Sequence, residues 1–212
     1  MCKIISSSRC FFPRKGLKTL QDTGLCHGNL SLEAVKVSGD KVTIDRLDWC
    51  IRFNKNSTPD EDIQIPIPGG MNPQFVAPEY FGALTGAWDG FAADLWDCGL
   101  LLYSMVVGTE ALFVAPILED KTFLELCVKG NVGGCVEKFA KRTGREITLS
   151  DELLNLLENM LKSDPKQRYS LEQVMDHPWV KSGNVVPPSA WTEIKTKGSD
   201  DSEDDASLGA AP

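Results

Sequence analysis

The sequence predicts a mainly α-helical domain with one short β-hairpin near its start. Three observations predict it. The first is a long apolar stretch, Asp94-Leu-Trp-Asp-Cys-Gly-Leu-Leu-Leu-Tyr-Ser-Met-Val-Val107. A helix that is apolar on every side has no solvent face and belongs inside a domain. The second is a pair of helix openings downstream. Ser150 precedes Asp151-Glu-Leu-Leu, and Ser170-Leu-Glu-Gln173 reads as a capping box. The third is the alternation of apolar and polar residues on either side of Ser38-Gly-Asp40, the pattern of two strands joined by a tight turn.

Taken in order, residues 1–15 mix Ser, Cys and basic residues without a period and read as a disordered leader. Gly16 to Gly24 reads as the last turns of a helix, with Leu17 and Leu20 on one face and Gly24 as its C-cap. Leu25 and Cys26 lead into a polar loop. Val35 and Val37 then form a strand, and Lys41 to Asp48 returns beside it, so that His27–Asn29 and Asp48 lie near one end of the hairpin. On pattern alone this is an ordinary surface hairpin. Residues 54–71 form a loop rich in Pro, Asp and Gly. Gly108 stops the apolar helix. Its informative polar residues are Asp94 and Asp97, and local sequence leaves Asp94 two roles: capping its own helix, or accepting N–H bonds from a neighbouring loop. Phe123, Leu124, Cys127 and Val128 predict one further helical face, and Val136, Phe139 and Ala140 another.

The length of 212 residues, 42% of them apolar, fits one domain with tails. Residues 182–212 read as a linker and an acidic disordered tail, within which Trp191 could pack back. The net charge of −8 is concentrated there, because Asp200, Asp201, Glu203, Asp204 and Asp205 carry five of those charges. Ser199 and Ser202, each followed by acids, resemble sites for acid-directed kinases. No basic face suggests nucleic-acid binding. The apolar helix is shorter than the ~20 residues of a membrane span, and the start of the chain lacks the apolar run of a secretory signal. Seven scattered cysteines without a C-x-x-C pair, and only two histidines, argue against disulfides and a zinc site. Together these features predict a cytoplasmic or nuclear protein with reduced thiols, not a secreted one.

Several ordered motifs resemble the large lobe of the eukaryotic protein kinases. They are the His27-x-Asn29-Leu30 loop with its hairpin, Ala77-Pro-Glu79, Asp94-Leu-Trp-Asp-Cys-Gly99, and Asp164-Pro-Lys-Gln-Arg168 with His177-Pro-Trp179. The calcium/calmodulin-dependent Ser/Thr group is the nearest in flavour, on Leu149-Ser-Asp-Glu-Leu and Met160-Leu-Lys-Ser-Asp-Pro. The resemblance implies a kinase-like C-terminal lobe over residues 16–181, with the hairpin beside a vestigial active site and no small lobe. No glycine-rich phosphate loop and no strand lysine precede the first helix.

Residue by residue, the resemblance implies lost chemistry on a kept scaffold. The family's loop reads His-Arg-Asp-Leu-Lys-x-x-Asn. Asn29 stands where the acid that takes the substrate proton belongs, Ser31 replaces the Lys, and Ala34 replaces the metal-binding Asn. Gly28 replaces the Arg that couples to the activation segment, so a phosphate on Ser57 or Thr58, beside Asp60-Glu-Asp62, would find no such receiver. His27 and Leu30, which pack, remain. For the metal-loop acid, Asp48 is preferred over Asp45, with Trp49 in the apolar slot and Cys50 in place of Gly; it is a weak Mg²⁺ candidate. The resemblance also implies an ion pair between Glu79 and Arg168, and favours the loop-holding role for Asp94. The resulting expectation is a noncatalytic, pseudokinase-like domain that binds proteins as a scaffold or regulator. No cofactor is expected, and ATP with Mg²⁺ would enter only if a small lobe were supplied. The alternative is an ATP-dependent Ser/Thr kinase whose N-terminal lobe lies outside this chain.

Overall fold

A computed structural model describes residues 14–38, 41–52, 73–81, 89–109 and 112–182. The sequence readings for residues 1–13 of the leader, for Ser57, Thr58 and Asp60–Asp62, and for Trp191, Ser199 and Ser202 fall outside these residues, whereas Arg14 and Lys15, read as the end of the leader, begin the first helix.

Seven helices and two small sheets make up the described part. The order is α1 (Arg14–Asp22), β1 (Leu25–Cys26), β2 (Val35–Ser38), β3 (Lys41–Ile44), β4 (Ile51–Arg52), α2 (Gly90–Val107), α3 (Lys121–Phe123), α4 (Val132–Thr143), α5 (Asp151–Met160), α6 (Leu171–Asp176) and α7 (Pro178–Ser182). A π-wound turn, Leu124–Val128, continues α3. The fold is therefore mainly α with the hairpin β2–β3, as the sequence predicts, and a second two-stranded sheet, β1–β4.

Helix α2 is the axis of the domain. It runs four residues further upstream than the apolar stretch read from the sequence, so by length and composition its 18 residues would cross a membrane after all, yet 89% of them are buried inside the protein. Leu95, Trp96, Leu100 and Leu101 are almost wholly enclosed. Trp96 packs against Phe113 and Phe123 with ring centroids 6.3 Å from each, and those two rings meet edge to face at 5.5 Å. Helix α5 lies against α2, and α4 and α7 pack on α5. The α2–α5 approach is close because residue 99 has no side chain. A Cβ there would sit 2.9 Å from Leu161 Cδ2 and 3.1 Å from Met160 Cβ.

The caps follow the local sequence. Gly108 ends α2 in the left-handed region at φ 71°, where the lack of a Cβ removes the penalty. Ser150 caps α5, accepting from Leu153 N, and Ser170 with Gln173 completes the capping box of α6. Of the two roles that local sequence leaves Asp94, capping is ruled out: helix α2 starts at Gly90 and is capped by Asp89, whose Oδ1 accepts from Phe91 N and Ala92 N at 3.0 Å each. Two expectations are corrected. The return strand stops at Ile44 and gives way to a 3-10 turn, Leu47–Trp49, followed by β4, which pairs antiparallel with β1. Two-residue strands carry no periodic signal, so that pairing was invisible in the sequence. On the α3 segment Leu126 is buried and Val128 is 39% exposed. Leu126 and Cys127 stand three and four residues from Phe123 and share its face, whereas Val128 stands five away.

Gly99→Ala should lower stability by roughly 1–3 kcal/mol, since the added methyl overpacks the α2–α5 contact. Denaturant unfolding checks this, and an unchanged midpoint would contradict the close approach.

Candidate functional site

The loop from His27 to Leu30 leaves β1 and crosses the N-terminal end of α2. Backbone N–H groups there are buried and need acceptors. Two carboxylates on α2 supply most of them. Asp94 Oδ2 accepts from His27 N at 2.7 Å, and its Oδ1 accepts from Gly28 N at 2.9 Å. Asp97 Oδ2 accepts from Leu30 N at 2.9 Å. The remaining one, Asn29 N, donates to His27 Nδ1 at 3.3 Å. Every N–H from His27 to Leu30 is thus bonded.

His27 is itself fully enclosed. Its Nε2 donates to the Asp45 carbonyl at 3.0 Å, and this fixes the neutral tautomer with Nδ1 free to accept. Burial holds its pKa below the ordinary histidine value. The two acids feel burial in the opposite sense. It pushes the Asp94 carboxyl up to about 7 against the pull of its two N–H donors. Asp97 is driven well above the usual carboxylate range, first by burial and then by the nearby Asp94 charge.

Around this frame sit the positions expected to carry chemistry. Asn29 and Ser31 are half-buried, and Ala34 is fully buried. Gly28 holds φ 76°, and a Cβ there would come within 2.9 Å of the Trp49 carbonyl, so the loop and the Leu47–Trp49 turn touch through backbone. That contact brings Asp48 to the same region. Asp48 is exposed, however, and Trp49 is 40% exposed, so Trp49 does not fill an apolar slot. The cause is the turn itself. It is entered through Arg46 in the left-handed region at φ 59°, and it carries its side chains outward. Cys50 has φ −60° and needs no glycine. Asp45 pairs with exposed Lys36. Among the described residues no three His, Cys, Asp or Glu side chains gather as a metal cluster.

A second buried constellation lies beneath. Arg168 Nη1 and Nη2 meet Glu79 Oε1 and Oε2 at 2.8 and 3.0 Å, with both side chains fully enclosed. Nη1 also donates to the Ala92 carbonyl at 2.7 Å, and Nε to the Lys162 carbonyl at 3.1 Å. The guanidinium sits 5.1 Å from the Trp96 ring centroid. The pair ties the Ala77-Pro-Glu79 segment to α2 and to the loop before α6. Sequence reasoning gave no role to Asp89, and it marked Asp97 as informative without naming its partner. The signal for Asp97 was present, since an acid inside an apolar helix needs a donor.

Fold and site together define a kinase-like large lobe. The protein kinase domain family matches residues 68–180, more than half of the chain, and the chain belongs to that family. It is 30% identical over 109 residues to calcium-dependent protein kinase 19 of Arabidopsis thaliana, covering 51% of this chain and 17% of that protein. It is 34% identical over 115 residues to ribosomal protein S6 kinase 2 alpha of Gallus gallus, covering 54% and 14% respectively. Serine/threonine-protein kinase SRK2C of Arabidopsis thaliana matches 175 residues at 26% identity, which is 81% of this chain and 47% of that protein. The chain thus spans less than half the length of each of these relatives.

Replacing Arg168 by Met should cost about 3–5 kcal/mol, because Glu79 is left buried without its partner. Arg168→Lys should recover little, since an ammonium cannot make the forked contact. Chemical denaturation of both variants checks this. The buried acids also set a pH dependence. Their folded-state pKa values are raised, Asp94 to about 7 and Asp97 well above the usual carboxylate range, so above about pH 4 the folded state binds more protons than the unfolded one. Their contribution to stability falls as pH rises through that range. Asp97→Asn keeps an oxygen for Leu30 N and removes the charge, so its melting temperature should decline less from pH 5 to pH 8 than wild type. A steeper decline would contradict the assignment.

Proposed function

We propose that this lobe is a noncatalytic, pseudokinase-like module that works by binding other proteins as a scaffold or regulator. One observation carries the reading. The loop that would present the catalytic acid is fully hydrogen-bonded and held in place, yet the side chain it presents is an amide. Asn29 cannot take a proton from a hydroxyl at neutral pH. Ser31 lacks the charge that would steady a transferring phosphoryl group, and Ala34 has no ligand atom for a metal. A nucleotide with Mg²⁺ does not fit this donor set, because Asp48 alone offers a carboxylate, on an exposed turn. The cytosol or nucleus suits a chain whose described thiols Cys26, Cys50, Cys98, Cys127 and Cys135 are free.

The retained Asp48, carried to the loop by the β1–β4 pairing, favours a second reading. In it the chain is the large lobe of a Ser/Thr kinase whose nucleotide-binding lobe lies outside these residues, and its chemistry is altered.

A phosphate-transfer assay on the protein separates the two. Transfer to a peptide at a measurable rate, abolished by Asp48→Ala, would overturn the noncatalytic reading. Millimolar ATP, with or without Mg²⁺, should leave the melting temperature unchanged, because a ligand stabilises only the state that binds it. A clear rise would contradict the expectation.

A further inference from the structure

Helix α4, the α3 segment and the end of α2 enclose a cavity of about 460 Å³. It is remote in sequence from the loop at His27–Leu30. Its inner wall is apolar, with Tyr103, Leu112 and Phe139. Its charged wall is cationic, with Lys121, Lys138 and Arg142. One acid, Glu125, also lines it; its Oε1 is engaged by Lys129 Nζ at 2.6 Å, and the more distant positive charge of Lys138 also helps to hold its pKa below the ordinary value. Among the described residues no carboxylate lies within ion-pair distance of Lys121, Lys138 or Arg142. Arg142 is instead held over the Phe139 ring, 5.5 Å from its centroid, with Arg145 on the same ring at 6.0 Å. Arg145 is fixed at the rim by its bond to the Gly108 carbonyl at 2.9 Å.

Like charges gathered at one mouth repel one another, and nearby carboxylates relieve them. Among the described lining residues three cations face one acid, and that acid is shared between Lys129 and Lys138. The complementary charge exists elsewhere in the same chain, as the five acids Asp200, Asp201, Glu203, Asp204 and Asp205. Between Ser182 and Asp200 lie 17 residues. Extended, they reach about 55 Å. A domain of this size has a diameter of roughly 40 Å, so any face of the lobe is within range. A tethered segment also meets its site at an effective concentration near the millimolar range, enough to favour a modest electrostatic contact.

We propose that this cavity is a binding site for an acidic peptide, and that its occupant is the chain's own Asp200–Asp205 segment. The chemistry of recognition is ion pairing between these carboxylates and Lys121, Lys138 and Arg142. The site is distinct from the loop on which the proposed function rests, so each can fail without the other.

Zero-length carbodiimide crosslinking of the full chain, read by mass spectrometry, tests this. Crosslinks from Lys121 or Lys138 to an acid among Asp200–Asp205 should exceed several-fold those from Lys166, an exposed lysine outside the cavity. They should fall several-fold at about 0.5 M salt, where screening is nearly complete beyond ~4 Å. Arg142→Glu should reduce them likewise, and the wild-type map with its salt series decides the matter if that variant fails to fold. Equal crosslinking at Lys166 would overturn the proposal. So would crosslinks found only between isotopically distinguished copies, which would place the acidic segment on a second molecule.

Discussion

Two carboxylates at the start of a helix with no solvent face are the constraint on which the rest of this structure depends. A buried acid is costly unless donors meet it. Asp94 and Asp97 are met by backbone N–H groups of one short loop, three of them at 2.7–2.9 Å. The dependence is mutual. Without the acids the loop would bury orphaned N–H groups, and without the loop the helix would bury orphaned charge. Neither element can relax alone, and this fixes the loop's position against the core. Helix α2 can hold both acids for this purpose because Asp89 does the capping.

The Glu79–Arg168 pair extends the same logic outward. The guanidinium satisfies a carboxylate, the Ala92 and Lys162 carbonyls and the face of Trp96 at once. It thereby joins a segment before α2, the first turns of α2 and the approach to α6. A pair this enclosed is poor evidence of extra stability, because desolvation offsets its attraction. What it supplies is position, since only one arrangement satisfies every donor and acceptor.

The sequence made much of this legible, for identifiable reasons. The apolar run of α2, the caps at Ser150 and Ser170 and the turn between β2 and β3 are local signals, and each is written within a few residues. The Glu79–Arg168 pair joins residues 89 apart, and no local pattern announces it; it was reached through resemblance alone. What stayed hidden depends on three-dimensional context. The β1–β4 pairing is too short for a period. The outward turn of Trp49 follows from the left-handed conformation of Arg46, a choice that sequence rarely reveals. Asp97 stood out with Asp94 because an acid inside an apolar helix calls for a partner, but only the fold shows that the partner is Leu30 N.

The scaffold and the chemistry of this site are physically separable. Every hydrogen bond from His27–Leu30 to α2 runs from a backbone N–H to Asp94 or Asp97, and the Leu30 side chain adds apolar packing. None uses the side chain of residue 29, 31 or 34. A substitution at those three positions therefore leaves the hydrogen bonds that place the loop intact, provided that it fits the space. At residue 34 that space is closed, and alanine fills it without a polar atom to satisfy. The reverse does not hold. Asp94 must offer two oxygens to two donors, which an amide cannot do, so the residues that hold the loop are far less free to vary than those that would act from it.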